Sequence, residues 1–437
     1  MEIKRKEIIP GVWLSCLHTD KFKSDCLSLS LLTQLDRDTV SMNALVPRVL
    51  SRGSAFHPDM DSISAACDEL YGARILPIVR KKGEVLALGF YAGFIADRFT
   101  PNGEKLLESV ASLMGEMLLS PATRGGLFMK NYVESEKEKL LDDIRARIND
   151  KRTYATYRLI TQMCAYEDYG CDDMGEETEA AGISYIDLTK HYRNLIQECP
   201  IEIFYCGSAP FRRVENAMMD ALLTLPRGEI NYEIGTDIRM NSVSAQPRYF
   251  EDELEVTQGK LEMGFRLGEI MDDPDFAAIR VFNALYGGDA NSRLFLNVRE
   301  KLSLCYYAGS ACDRLKGIML VSAGIEFDKF EEAKAEILSQ LDELRQGNFS
   351  DEELSGAIKS VCSDLIALTD SPGALEDFYQ TQTLCGLEYG PEEYSALCEM
   401  VTREDVIAVA KSIELDSIYF LRADEDFEAE DEEDEDD

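Results

Sequence analysis

Residues 291–310 read NSRLFLNVREKLSLCYYAGS: a polar start, a helical stretch carrying Arg299 and Glu300, then an abrupt turn into Cys305-Tyr306-Tyr307. Continuing outward, LCYYAGSACDRLKGIMLVSAGIE (304–326) forms two strand-like runs about Lys316-Gly317 and predicts a hairpin. Upstream, KLEMGFRLGEI (260–270) alternates as a strand does. It passes an acidic DDPD turn and enters a helix with Phe276, Ile279, Phe282 and Leu285 on one face.

The first half of the chain shows the same order of patterns. An apolar strand, CLSLSLLTQL (26–35), leads through Asp36 and Asp38 into a helix whose Met42, Leu45, Val46, Val49 and Leu50 share a face. RILPIVRKKGEVLALGFYAG (74–93) then reads as a hairpin about a Lys-Lys-Gly turn. Long amphipathic helices follow each hairpin, NGEKLLESVASLMGEMLL and KFEEAKAEILSQLDELRQG. Each half closes on a helix-strand unit, 183–207 and 401–422. Such order predicts a duplicated α+β unit, each copy a mostly antiparallel sheet with helices on one face. The expected domains are 1–225 and 249–423, joined by a polar, Gly- and Pro-punctuated linker at 226–248. Two domains facing each other can enclose a ligand site.

Composition narrows the function. The 437 residues are 45% hydrophobic and can bury a large core. With 82 acidic against 45 basic residues the net charge is -37, which repels phosphate backbones and anionic lipid surfaces, so neither nucleic acid nor membrane is an expected partner. Residues 424–437 are acidic at twelve of fourteen positions and are expected to be a disordered tail. The N-terminus lacks an apolar core with a small-residue cleavage site, and no apolar run nears the ~20 residues of a membrane helix. Twelve cysteines without C-x-x-C pairs read as reduced packing residues. A cytoplasmic location is expected.

The stretch SRLFLNVREKLSLCYYAGS resembles the second-domain signature of the pitrilysin/insulinase family of zinc peptidases, and the resemblance extends over nearly the whole chain. It implies a two-domain half of a clamshell. It also places at Arg299 and Tyr306 the family pair that binds the substrate carbonyl beside the zinc. That chemistry is sound, because a guanidinium and a phenol O–H can stabilise the oxygen as negative charge develops on it. Strand residues Arg74, Ile75, Leu76, Ile78 and Val79 resemble the family's edge strand, which takes an extended peptide by strand addition. Pro77 within it fits only an edge.

In active relatives the first-domain helix carries H-x-x-E-H, two zinc ligands and a general base. The positions that correspond here are Ala44, Pro47 and Arg48. Ala44 has no donor atom, Pro47 cannot accept a proton, and Arg48 is a permanent cation. Asp143 best matches the position of the remaining acidic ligand. His18, His57 and His191 are far apart in sequence and make no second metal motif, and the motifs of nucleotide-dependent enzymes and serine hydrolases are missing. No cofactor is therefore expected in this chain.

The resemblance is strongest to non-catalytic subunits of bacterial paired peptidases, with zinc held by a homologous H-x-x-E-H partner and a peptide as substrate. A structural or peptide-binding scaffold with no role in hydrolysis is the second reading, and an enzyme of unrecognised mechanism the third. Homodimer formation in isolation stays open.

Overall fold

The computed structural model describes residues 3–268 and 273–424. The acidic tail beyond Asp424 lies outside the described residues, as does Asp272 of the acidic turn. The described residues form two large sheets and one two-stranded ribbon. The first has the order β1-β2-β8-β3-β5-β4, from β1 (Ile3–Ile9), β2 (Val12–His18), β3 (Ser24–Gln34), β4 (Arg74–Lys82), β5 (Val85–Ile95) and β8 (Ile201–Gly207). A two-residue ribbon, β6 (Thr123–Arg124) and β7 (Leu127–Phe128), lies between β5 and β8 in sequence. The second has the order β11-β12-β10-β13-β9, from β9 (Arg248–Leu254), β10 (Gly259–Arg266), β11 (Cys305–Asp313), β12 (Ile318–Ile325) and β13 (Glu414–Ala423).

The duplication is written in the strand pairing. In the first sheet β2 runs parallel to β8, which pairs antiparallel with β3, then β5, then β4. In the second, β9 runs parallel to β13, which pairs antiparallel with β10, then β12, then β11. Among the described strands of the two large sheets, β1 is the one without a counterpart. Both hairpins stand where the sequence places them, and β4 and β11 are equivalent edge strands. The fold is α+β with antiparallel-rich sheets.

Strand periodicity decides which residues each sheet buries on which side. On β3, Leu27, Leu29 and Leu31 join the main core with Leu45, Val49 and Leu50 of the helix Val40–Leu50 and Val110 and Met114 of the helix Leu106–Leu119. The alternate positions Cys26, Ser28 and Ser30 are also buried. They lie under the helix Pro372–Leu384, where Cys26 Sγ bonds the Pro372 carbonyl and Gln380 donates to Ser30 Oγ at 3.1 Å. The second sheet repeats the device. Leu261, Met263 and Phe265 of β10 face its apolar side, and Glu262, Gly264 and Arg266 meet the helix Lys151–Met163. A Cβ on Gly264 would fall 2.4 Å from Met163 Sδ, so only glycine lets this helix sit so close.

The compact units are accordingly not contiguous stretches, as domains 1–225 and 249–423 would be. One comprises the chain to Arg145 with Cys171–Thr236 and Leu368–Gly390; the other comprises Ala146–Gly170, Asp237–Ala367 and the chain from Pro391. Each unit takes one helix from the opposite half of the sequence to cover the second face of its sheet. The helices therefore do not all lie on one face: a larger layer covers one side and a single helix the other. Covering polar positions demands bonding partners. Arg266, fully buried, is held by Glu167 at 2.6 Å and Asp416 at 3.1 Å, and buried Lys316 reaches the same Glu167 at 2.8 Å.

Candidate functional site

The helix Val40–Leu50 runs through Pro47 without a break and ends where Ser51 N–H bonds the Pro47 carbonyl at 3.1 Å. Gly53 allows the chain to turn sharply there, since a Cβ would lie 2.3 Å from the Pro58 carbonyl oxygen. The positions matched to a metal motif are on this helix. Ala44 is buried, and its neighbour Asn43 accepts a 2.6 Å bond from His191 Nε2–H, an imidazole that burial keeps neutral with its pKa pushed down to about 4. Arg48 Nη1 donates to Asp143 Oδ2 at 2.6 Å. One turn on, Arg52 Nη1 bonds Glu136 Oε1 at 3.1 Å, and Lys139 reaches that oxygen at 2.8 Å.

The structure thus brings Ala44, Arg48 and Asp143 together around a cleft of about 520 Å³, which Pro77, Val79, Glu136, Asp173 and Met174 also line. The residues present do not fit zinc. Ala44 and Pro47 offer no donor, and a guanidinium already holds the carboxylate of Asp143. Among the described residues no group of three or more His, Cys, Asp or Glu side chains is arranged to hold a metal ion.

A second cleft of about 390 Å³ shares Arg48, Pro77 and Glu136 with the first and extends along Arg74, Ile75 and Leu76 of β4. Among the described residues β4 pairs only with β5, so its other side is an unpaired edge. Ile75 and Val79 pack toward the core, and Leu76 is exposed; Ile78 lines neither cleft. The ion pair of Arg52 with Glu136 has no sequence signal, because Arg52 lies just past the end of the helix Val40–Leu50 and its partner is 84 residues away.

In the other unit, Arg299 stands in a π-helical segment, Leu294–Lys301, anchored by fully buried Leu294 and Val298. The segment is released through Ser303, whose φ of 51° reverses the chain into β11. Tyr306 sits at a bulge: Cys305 pairs with Ile325 and Tyr307 with Gly324, which leaves Tyr306 without a register partner and 62% exposed. Its hydroxyl makes no hydrogen bond among the described residues. The Arg299 guanidinium lies over the Phe295 ring at 4.6 Å and 3.6 Å from Glu300, and it has no bond to Tyr306. Tyr307, by contrast, is packed under Arg152, 4.2 Å from its ring.

Comparison with known proteins places these features in a family. Residues 182–361 match the family described as "Peptidase M16 inactive domain". Over 97% of this chain and 98% of the relative, the sequence is 33% identical to a Bacillus subtilis protein named "Probable inactive metalloprotease YmfF". The chain belongs to the M16 peptidase family. This is the family to which the pitrilysin/insulinase resemblance pointed. A conserved protein from Enterococcus faecalis shares 26% identity, with 97% of this chain and 99% of that one aligned at a TM-score of 0.86. A Pseudomonas fluorescens structure described as a peptidase M16 inactive domain aligns over 97% and 99% at a TM-score of 0.78; at 16% identity it speaks to the fold alone. The first helix of this M16 chain, Val40–Leu50, carries no His, Cys, Asp or Glu. No helix among its described residues is long and apolar enough to cross a membrane.

Proposed function

We propose that this chain is the non-catalytic subunit of a heterodimeric zinc peptidase. It presents Arg299 and Tyr306 to the carbonyl of a peptide held at the zinc of an H-x-x-E-H partner, and it supplies part of the chamber wall. The observation that carries this reading is the contrast between the two units. The positions matched to a metal motif hold an Arg48–Asp143 ion pair, whereas Tyr306 stands exposed with no hydrogen bond to its hydroxyl among the described residues, and the half-buried Arg299 is near it in sequence with no ion-pair partner beyond its neighbour Glu300. Both side chains are donors suited to a developing oxyanion. In this reading the chain holds no cofactor of its own, and β4 receives the extended peptide through its open edge. Twelve free thiols fit a reducing, cytoplasmic setting.

The test is reconstitution with the homologous H-x-x-E-H subunit and steady-state cleavage of an unstructured peptide, with equal complex formation checked by size exclusion. Arg299→Ala or Tyr306→Phe should each lower turnover by roughly 10² to 10³. The double variant should lose less than the product, because both groups act on one oxygen. Full turnover in the double variant would refute the role. A peptide-binding scaffold without hydrolysis is the second reading. It is favoured by the β4 edge and its two clefts, which lie within one unit and need no metal.

A further inference from the structure

We propose that the 390 Å³ cleft beside β4 binds the free C-terminal carboxylate of an extended peptide whose last residue carries an apolar side chain. The inference rests on the peptide-binding part of the reading above and requires neither hydrolysis nor a partner subunit.

Charge is the first argument. In a chain of net charge -37, this cleft gathers Arg48, Arg52, Arg74 and Lys139 against the single carboxylate of Glu136. The adjoining cleft is the reverse, with Glu136, Asp143 and Asp173 against Arg48 alone, and it would repel an anion. Donor geometry is the second. Asp143 engages only Nη1 of Arg48, and Glu136 only Nη1 of Arg52. The Nη2 groups of Arg48 and Arg52 make no hydrogen bond among the described residues, and Arg52 is held over the Tyr132 ring at 5.1 Å. Arg74 is exposed and unpaired among the described residues. A guanidinium with one edge committed and the other free is prepared to receive a carboxylate.

The floor supplies the third argument. Ile63, Ala73 and Met117 are buried beneath the cleft, and Met60, Cys67 and Ile75 border it, so cations and apolar surface share one small volume. A peptide's terminal residue is the one that carries a carboxylate and an apolar side chain together. An acidic side chain would put the charge and the apolar group on different residues. Strand addition at the β4 edge would deliver the chain end along Leu76 and Arg74.

Fluorescence anisotropy with the full chain alone tests this. The probes are labelled, unstructured decapeptides of one sequence ending in Leu as the free acid, ending in Leu as the amide, and as an amide with Glu in place of the last residue. The free acid should bind about tenfold tighter than the Leu amide or more, and the Glu amide no better than the Leu amide. Arg52→Lys keeps the charge facing Glu136 but loses the planar fork; it should erase most of that preference without moving the thermal midpoint. Equal binding of acid and amide overturns the inference and leaves peptide binding at β4 standing. A Glu amide that matches the acid overturns the claim for the chain terminus. Failure of every peptide to bind removes both the inference and the reading of β4.

Discussion

Replacing Glu262 with glutamine should make the protein more stable, and increasingly so as pH rises. Glu262 lies in the middle of β10, opposite Ser322 on β12, and is fully buried beneath the helix Lys151–Met163. Ser322 Oγ donates to Oε1 at 2.6 Å and Thr156 Oγ1 to Oε2 at 3.2 Å. Burial nevertheless dominates and pushes the carboxyl from 4.5 up to about 8, against the pull of those hydroxyls and of Arg152 and Lys260. The unfolded chain loses this proton near pH 4.5, while the folded chain keeps it until about pH 8. Between those values the native state binds more protons, so stability falls as pH rises and levels off above pH 8. At ~1.4 kcal/mol per pH unit, the penalty is ~1.4 kcal/mol at pH 5.5 and at most ~5 kcal/mol above pH 8.

The carbonyl oxygen of glutamine can accept from one hydroxyl while its amide donates to the other, and it never ionises, so Glu262→Gln should gain on the wild type by ~3 kcal/mol between pH 5.5 and 8.5. Urea unfolding at both pH values, followed by circular dichroism, measures the difference. A constant difference between the two proteins across this range, or a variant that weakens toward pH 8.5, would refute the protonated carboxyl. The outcome bears on the proposed function as well, because β12, which carries Ser322, is the one strand among the described residues that pairs with β11.

Two further substitutions test packing. Pro47→Ala restores a helical N–H and removes a ring from the interior of the helix Val40–Leu50, so it should raise stability by ~1–3 kcal/mol; an unchanged thermal midpoint would show that the helix accommodates proline without strain. Glu167→Gln strips the buried Arg266 and Lys316 of their shared carboxylate and should cost ~3 kcal/mol or more in chemical denaturation. Burial acts to raise Glu167, but the bonds from Arg266 and Lys316 outweigh it and hold the group below the usual carboxylate range. Its contribution is therefore complete at neutral pH and lost in acid, as pH falls through that lowered value.

The strands that read clearly in the sequence are those with an apolar stripe and a marked turn: β3 and β10, and the hairpins β4–β5 and β11–β12. Pro77 correctly marked β4 as an edge, because an interior strand needs the N–H that proline lacks. β1 and β2 were passed over. β1 is an edge with charges at Lys4, Arg5, Lys6 and Glu7, and it carries little apolar signal. The covering helices were legible as helices but not in their placement. Glu262, Arg266, Ser28 and Ser30 alternate with leucines and phenylalanines as solvent-facing residues do, and only a helix from the opposite half of the sequence puts them out of water. At the candidate site, Ala44, Pro47 and Arg48 could be read as the loss of a metal motif. That Arg48 would take up Asp143, almost a hundred residues away, depended on tertiary packing.

Duplication also explains why the exposed candidate residues fall where they do. β4 and β11 occupy the same place in their sheets, each the last strand beyond a long hairpin, so each leaves one row of backbone groups unpaired. An open edge invites association with other chains, and proteins usually blunt it. β4 is blunted only in part: Lys82 is tied to Asp377 and Arg80 to Glu376 at one end, whereas Arg74 to Pro77 at the other borders a cleft with an apolar floor. β11 is interrupted by the bulge that turns Tyr306 outward. One sheet edge thus offers backbone and charge to an extended chain, and the other offers a phenol next to a guanidinium-bearing helix. The proposed function uses both: the β4 edge for the peptide backbone, and Tyr306 at the β11 edge for its carbonyl.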